Sequence, residues 1–232
     1  MKKNSQEVRI AIASPHSRHD FLEKLFLEKL DLEILRIHCP ANLDMKLLTE
    51  FSPRYIFFPH WSWIIPEEIY KKFECVIFHM TDLPYGRGGS PLQNLIIRGH
   101  KETKLTAFRC DKNLDAGPIY AKRSLSLNGT AEEILFNAAK LTGELIEHIV
   151  IDNPSPVDQI GEYIEFKRRS PEDGNLEALT TLQKLYDYIR MLDAEGYPSA
   201  FIENNHFKFE FRGAILNEDD LIAEVKITRR VK

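Results

Sequence analysis

Short apolar runs alternate with amphipathic stretches through the first half of the chain. Val8 to Ala13 is an apolar run closed by Ser14-Pro15, and Leu32 to Cys39, Tyr55 to Phe58 and Cys75 to His79 repeat the type. Between them, Asp20 to Leu30 sets Phe21, Leu22, Leu25, Phe26 and Leu30 at helical spacing. Asp44 to Phe51 reads as a short helix, and Pro66 to Phe73 as one with proline in its first turn. This rhythm predicts an α/β fold, a Rossmann-like and mostly parallel sheet with helices on both faces. Ligands of such sheets lie beyond the C-terminal strand ends, so the loops Ser14–His19, Pro59–Pro66 and Met80–Pro91 come into view.

The pattern continues with a helix from Pro91 to Arg98, strands from Leu105 to Cys110 and Ile119 to Leu127, and a long helix from Thr130 to Ile151. Thr130 and Glu133 form a capping-box signature at its start. Past Asp152 the composition shifts, with Pro154 and Pro156 marking a connection. A main domain over 1–165 and a small α+β extension over 166–232 are expected, the extension holding a helix from Leu176 to Leu192 and short antiparallel strands from Ala200 to Ile227.

The formal charge of −4 over 232 residues shows no basic surplus of the kind that marks a nucleic-acid partner. Cys39, Cys75 and Cys110 lack metal-ligand spacing and read as buried, reduced thiols of a cytoplasmic protein. The opening MKKNSQEVRIAIAS has too short an apolar segment for a signal peptide, and no run reaches membrane-spanning length.

Candidate chemistry concentrates in FHMTDLPYGRGGSPLQNLI, Phe78 to Ile96, and LDAGPI, Leu114 to Ile119. The first puts His79 at a strand end before a Pro- and Gly-rich loop, and the second puts Asp115 in a loop 36 residues later. A histidine that a carboxylate can orient is the core of general acid/base chemistry. Gly86, Gly88 and Gly89 match neither GxGxxG nor a P-loop. His16 and Arg18 in the first loop stand near the ligand edge, either as solvated residues or in a phosphate or substrate role.

The chain here resembles the 10-formyltetrahydrofolate-dependent formyltransferases, through His79, Thr81, Leu83, Pro84, Arg87 and Gly88, then Leu114, Asp115 and Gly117. The resemblance implies a formyltransferase fold without a metal, and an acceptor amine that attacks the formyl carbon. It makes His79 and Asp115 catalytic, His79 taking the amine proton or stabilising the charged intermediate. Trp63, Ile64 and Ile65 would line the pterin slot, with Asp111, Asn113 and Leu114 closing its other side. Thr81, Arg87, Gly88, Gly89 and Asn94 would shape the acceptor side. One position departs: Ile77 stands where the family carries an asparagine whose amide helps hold the oxyanion, and Gln93, Asn94, Asn113 or a loop N–H are the candidate replacements.

Phe166 to Gly174 (FKRRSPEDG) and Tyr197-Pro198 resemble the C-terminal extension of sugar N-formyltransferases. That likeness implies a nucleotide-linked amino sugar as acceptor, a UDP-linked 4-amino-dideoxy sugar foremost, in bacterial surface-polysaccharide synthesis. Lys167, Arg168, Arg169 and Tyr197 would meet its pyrophosphate. The acidic balance and the lack of a basic C-terminal barrel set tRNA aside, and a homodimer is allowed. The alternatives are formylation of an aminoacyl or peptidyl amine, and a non-catalytic folate-binding protein.

Overall fold

The computed structural model describes residues 8–30 and 32–230. The charged run that opens the chain falls outside them. Strands β1 (Arg9–Ala13), β2 (Glu33–Ile37), β3 (Tyr55–Phe58) and β4 (Cys75–His79) carry the apolar runs, with helices α1 (Phe21–Leu30), α2 (Met45–Phe51) and α3 (Glu67–Lys72) between them. Then come β5 (Tyr85–Gly88), α4 (Pro91–Ile97), β6 (Glu102–Arg109), β7 (Ile119–Ser126) and α5 (Ala131–Asp152). The rest holds β8 (Ile164–Phe166), α6 (Leu182–Arg190), β9 (Ala200–Glu203), β10 (Phe207–Leu216) and β11 (Leu221–Arg229).

The main sheet runs β2-β1-β3-β4-β6-β7. The first four strands are parallel, and β6 lies antiparallel to β4, so the sheet is mostly parallel and Rossmann-like as expected. Strand alternation sends side chains to two apolar layers. Ile10, Ile12, Phe57, Val76 and Phe78 meet Leu22 and Phe26 of α1 and Leu145, Ile146 and Ile149 of α5. Ala11, Ala13, Ile56, Phe58 and Cys75 meet Leu48 of α2 and Ile69 of α3. Both faces are covered, which is why these strands read as nearly continuous apolar runs.

Two compact units divide the chain. One comprises 1–87, 104–124 and 138–164, and the other 88–103, 125–137 and 165–232. The second unit thus takes in α4 and the start of α5 as well as the segment past 165. Its helix α6 begins at Leu182, later than the expected Leu176, because the Thr181 side chain caps it by accepting from the Lys184 N–H. Within this unit, Arg190 is buried, pairs with Asp187 at 2.7 Å, and donates to the Leu127 and Gly129 carbonyls. The Thr130–Glu133 capping box forms as read, with reciprocal bonds of 2.8 and 3.3 Å.

Candidate active site

His79 ends β4 on the face shared by Cys75 and Ile77. Its backbone is paired with Thr106 on β6, whose hydroxyl donates to the Thr81 carbonyl at 2.6 Å and anchors the turn that follows. The residue is 7% exposed. Its Nε2 lies 2.8 Å from the Gly86 carbonyl. A carbonyl only accepts, so Nε2 carries a hydrogen, and the nitrogen left to exchange a proton is Nδ1. Nδ1 faces Asp115 Oδ2 at 3.7 Å. That distance exceeds a direct hydrogen bond and leaves an opening for a water or an acceptor proton to bridge the pair.

Asp115 sits at φ +51, in the left-handed region that Asp tolerates in turns. Its loop is clamped from two sides. Gly117 has no room for a side chain, since a Cβ there would stand 1.9 Å from the Arg109 carbonyl oxygen. Gln159 donates through Nε2 to the carbonyls of Asp115 and Gly117, both at 2.9 Å. Its Oε1 accepts from Arg87 Nη2 at 2.7 Å and Nε at 3.2 Å. One amide therefore ties the Asp115 loop to the arginine that follows the His79 turn. No motif announces Gln159 in the sequence, and the sequence reading passed it over. A cleft of about 450 Å³ opens beside it, lined by Asp82, Leu83, Lys122, Val157, Gln159 and Ile160.

The loops after β3 and β6 flank β4. Trp63 is 46%, Ile64 94% and Leu114 70% exposed, while Ile65, expected in the pterin slot, is 6% exposed and packs into the core. Trp61 and Cys110 rest on that same core layer, and Trp61 meets Trp63 edge-on at 4.9 Å. The Trp61 indole nitrogen is buried with no hydrogen-bond partner among the described residues. Asp111, Asn113 and Leu114 lie on the surface of their loop, with Asp111 Oδ1 accepting the Asn113 N–H.

In the other unit, several expected ligand residues are committed to their own chain. Asn94 Nδ2 lies within 3.1 Å of the Gly89, Ser90 and Lys167 carbonyls, and Asn94 Oδ1 accepts from Arg98 at 2.9 Å. Its amide has no capacity left for an oxyanion, which corrects the expectation placed on it. Gln93 donates to the Met191 carbonyl. Gly88 and Gly89 are glycines because the chain at Phe166 and Arg168 approaches within 2.5 and 2.6 Å of where a Cβ would stand. Close backbone packing accounts for both without a ligand. Arg169 donates to the Asp173 carbonyl and lies over the Tyr188 ring, while Lys167 and Arg168 are exposed and Tyr197 is half-buried.

A histidine group at the ends of β1 and β3 was only partly legible, since His16 drew notice and its companions did not. The His16 and His60 rings lie 4.3 Å apart, and His19 Nδ1 lies 2.9 Å from the Ser14 hydroxyl. Burial first, then mutual repulsion with neighbouring histidines and Arg18, lowers His19 and His60 to about 3, so both stay neutral at neutral pH. Among the described residues, no group of three or more His, Cys, Asp or Glu is placed to hold a metal, and no helix is long and apolar enough to cross a membrane. Of the three free cysteines, only Cys75 is fully buried. Burial, with the Asp111 and Asp115 carboxylates, pushes Cys110 up to about 12, which keeps it a thiol beside the loop.

An oriented histidine at a strand end of an α/β sheet with a clamped aspartate beside it is an arrangement suited to acid/base chemistry. Comparison with known proteins gives the family. Residues 39–134 match the family model described as formyl transferase, and 171–228 match the methionyl-tRNA formyltransferase C-terminal domain. A solved structure of a methionyl-tRNA formyltransferase from Clostridium thermocellum is 44% identical, with a TM-score of 0.93, over 96% of this chain and 100% of that one. The chain belongs to the formyltransferase family. A methionyl-tRNA formyltransferase of Rickettsia massiliae is 29% identical over 73% of this chain and 59% of its own length, so the chain spans about 59% of that relative. A Mycobacterium tuberculosis protein described as a likely sugar N-formyltransferase shares the fold, with a TM-score of 0.71 at 19% identity over 92% of this chain and all of that one.

Proposed function

We propose that this protein is a cytoplasmic enzyme that transfers a formyl group from 10-formyltetrahydrofolate to the amine of an aminoacyl group. The observation that carries the acceptor is the likeness over nearly the whole chain, at 44% identity, to a protein named for methionyl-tRNA formylation. The match of 171–228 to that enzyme's C-terminal domain supports it, where the sequence had pointed to a nucleotide sugar and away from tRNA. The lack of a basic surplus is a weak counter-argument. Net charge averages over the whole surface, whereas recognition of one acceptor end uses a local patch.

When bound, the folate supplies the formyl carbon. Trp63, Ile64 and Leu114 offer the exposed apolar surface a flat pterin ring would cover, and burying it is favourable. His79, with Nε2 held by Gly86, takes the acceptor amine's proton at Nδ1. Asp115, whose Oδ2 stands 3.7 Å from Nδ1, would flank the imidazolium that results. As the acceptor nitrogen bonds to the formyl carbon and the carbon's bond to the folate nitrogen is lost, the proton held at His79 Nδ1 would pass to that leaving nitrogen.

The test is to incubate the protein and 10-formyltetrahydrofolate with methionyl-tRNA, and separately with UDP-linked amino sugars. Formylmethionyl-tRNA is the expected product. Turnover confined to a sugar would move the acceptor to the earlier expectation, and folate binding without turnover on any amine would leave a non-catalytic binding protein.

A further inference from the structure

Strands β4 and β6 pair antiparallel with Val76 opposite Arg109. One step further along that register Cys75 stands opposite Cys110, and the Cys110 N–H donates to the Cys75 carbonyl at 2.8 Å. Directly opposed residues of an antiparallel pair share one face of the sheet. Both thiols accordingly lie on one apolar layer, Cys75 inside it and Cys110 packed against it. In a hydrogen-bonded pair of this kind the Cα atoms are about 5.5 Å apart, a separation that a disulfide spans. Cys75 is 1% exposed and Cys110 half-buried, so the pair has an inner and an outer sulfur. Neither thiol takes part in the formyl transfer described above.

We propose that Cys75 and Cys110 are a redox site, whose oxidation to a disulfide displaces the Asp115 loop and stops turnover. The oxidant that suits a half-buried thiol is small, and hydrogen peroxide is the one named here. The Cys110 sulfur attacks one peroxide oxygen, the O–O bond breaks, and a sulfenic acid and one water result. The Cys75 sulfur then attacks the Cys110 sulfur, whose hydroxyl leaves as a second water as the S–S bond forms. Two thiols are oxidised, and one peroxide is reduced to two waters. Burial, then the Asp111 and Asp115 carboxylates, hold Cys110 up at about 12, so the pair reacts slowly and stays reduced until peroxide is abundant. The effect on the loop follows from distance. Opposed Cβ atoms in such a pair are about 5 Å apart, and a disulfide draws them to about 3.8 Å, a shift of about 1 Å. Asp111 follows Cys110 directly, and Asp115 lies five residues on. The Arg109 N–H is bound to the Pro118 carbonyl, and Gln159 holds the Asp115 and Gly117 carbonyls, so the shift falls on the residues between. The disulfide stands on this geometry alone, whereas its effect on turnover rests on the proposed formyl transfer.

Intact mass and a non-reducing digest of the full chain after millimolar hydrogen peroxide read the bond without any substrate. The expected result is the loss of two hydrogen atoms and a peptide pair joined through Cys75 and Cys110. Tetrahydrofolate release is expected to fall about 100-fold on oxidation and to return with dithiothreitol. Amide hydrogen exchange over 111–117 reads the loop displacement whether or not any amine turns over. Cys110→Ser and Cys75→Ala are expected to keep their turnover under the same peroxide. Cys39→Ser, at a thiol that donates to Asn42 Oδ1 elsewhere in the chain, is expected to lose it as the wild type does. An oxidised chain without a Cys75–Cys110 bond, or one paired through Cys39, overturns the inference. So does a bond that leaves turnover and loop exchange unchanged, or an equal loss of turnover in Cys110→Ser and Cys75→Ala. A reduced protein that turns over no amine sinks the formyl-transfer reading instead, and mass and exchange still decide the redox site.

Discussion

Gly117→Ala is the most discriminating substitution in the Asp115 loop. The added methyl would stand 1.9 Å from the Arg109 carbonyl oxygen, and it meets backbone, so no side chain can swing aside. Reaching the 3.0 Å below which Cβ contacts essentially never fall requires a shift of about 1.1 Å. The Arg109 N–H also donates to the Pro118 carbonyl at 2.8 Å, so the shift strains that bond. Overpacking of about 1–3 kcal/mol plus a weakened hydrogen bond of about 1 kcal/mol gives about 2–4 kcal/mol of destabilisation. For a chain of this size that lowers Tm by about 5–15 °C. Asp115 lies two residues away, and a displacement of about 1 Å at a proton-handling pair lowers turnover by about 100-fold. Tetrahydrofolate release under saturating substrates, paired with thermal denaturation, measures both effects. Gly99→Ala is the control. Its φ of +81 costs about 1–2 kcal/mol of backbone strain, but nothing lies within 4 Å of the new methyl, so stability falls and turnover holds. Turnover of Gly117→Ala within threefold of wild type would refute the claim that this glycine sets the position of Asp115.

The remaining expectations concern the same loops and the histidine group. His79→Ala and Asp115→Asn are each expected to reduce turnover by about 10²- to 10⁴-fold while the far-ultraviolet circular dichroism stays that of the wild type. Gln159→Ala frees the Asp115 and Gly117 carbonyls and should lower kcat about tenfold with little change in Tm, and equal loss of stability and rate would assign it to the fold alone. Ile64→Ala, at a side chain 94% exposed, should leave Tm unchanged and weaken folate binding, which isothermal titration reads. His19 and His60 bind fewer protons folded than unfolded between about 3 and 6.5, so stability rises with pH across that window and is lost as pH falls from 6.5. Each contributes up to about 1.4 kcal/mol per pH unit there, and urea denaturation at pH 5 and pH 7 checks the slope.

Most of the main sheet was legible because buried parallel strands carry dense apolar runs that local pattern exposes. Tyr55–Phe58 and Cys75–His79 have the expected bounds. Two short strands were missed for a physical reason. Tyr85–Gly88 contains two glycines and an arginine, and Ile164–Phe166 is three residues long, so neither has a local signature. The start of α6 was placed early because its first turn depends on a threonine cap rather than on periodicity, and Leu176 sits instead in a stretch whose N–H reaches Phe201. The interleaving of 88–103 and 125–137 with the C-terminal segment was not legible either, since it depends on which stretches meet in space.

The proposed catalytic pair was legible because its residues sit in distinctive motifs, whereas the surrounding polar residues were not. Asn94, Gly88 and Gly89 stand in the same motif as His79, and Arg169 in the FKRRSPEDG stretch, and the family resemblance gave them ligand roles. Their hydrogen bonds and close contacts show that they hold two stretches of chain together. A motif therefore marks a region where backbone is pressed into unusual paths, and only some of its residues face the ligand. Gln159 illustrates the converse. It lies in a linker without a motif, yet its amide joins Arg87 to the Asp115 loop. The same distinction bears on Ile77. Under the proposed function, with Asn94 committed elsewhere, the oxyanion donor that Ile77 cannot supply would come from another group. The buried Trp61 indole N–H, whose ring packs on the same core layer as Ile77, has its hydrogen-bonding capacity unused among the described residues. If it is that donor, Trp61→Phe lowers kcat without weakening folate affinity, and adding Ile77→Asn in that background recovers rate. An unchanged kcat in Trp61→Phe sends the search to the loop N–H groups.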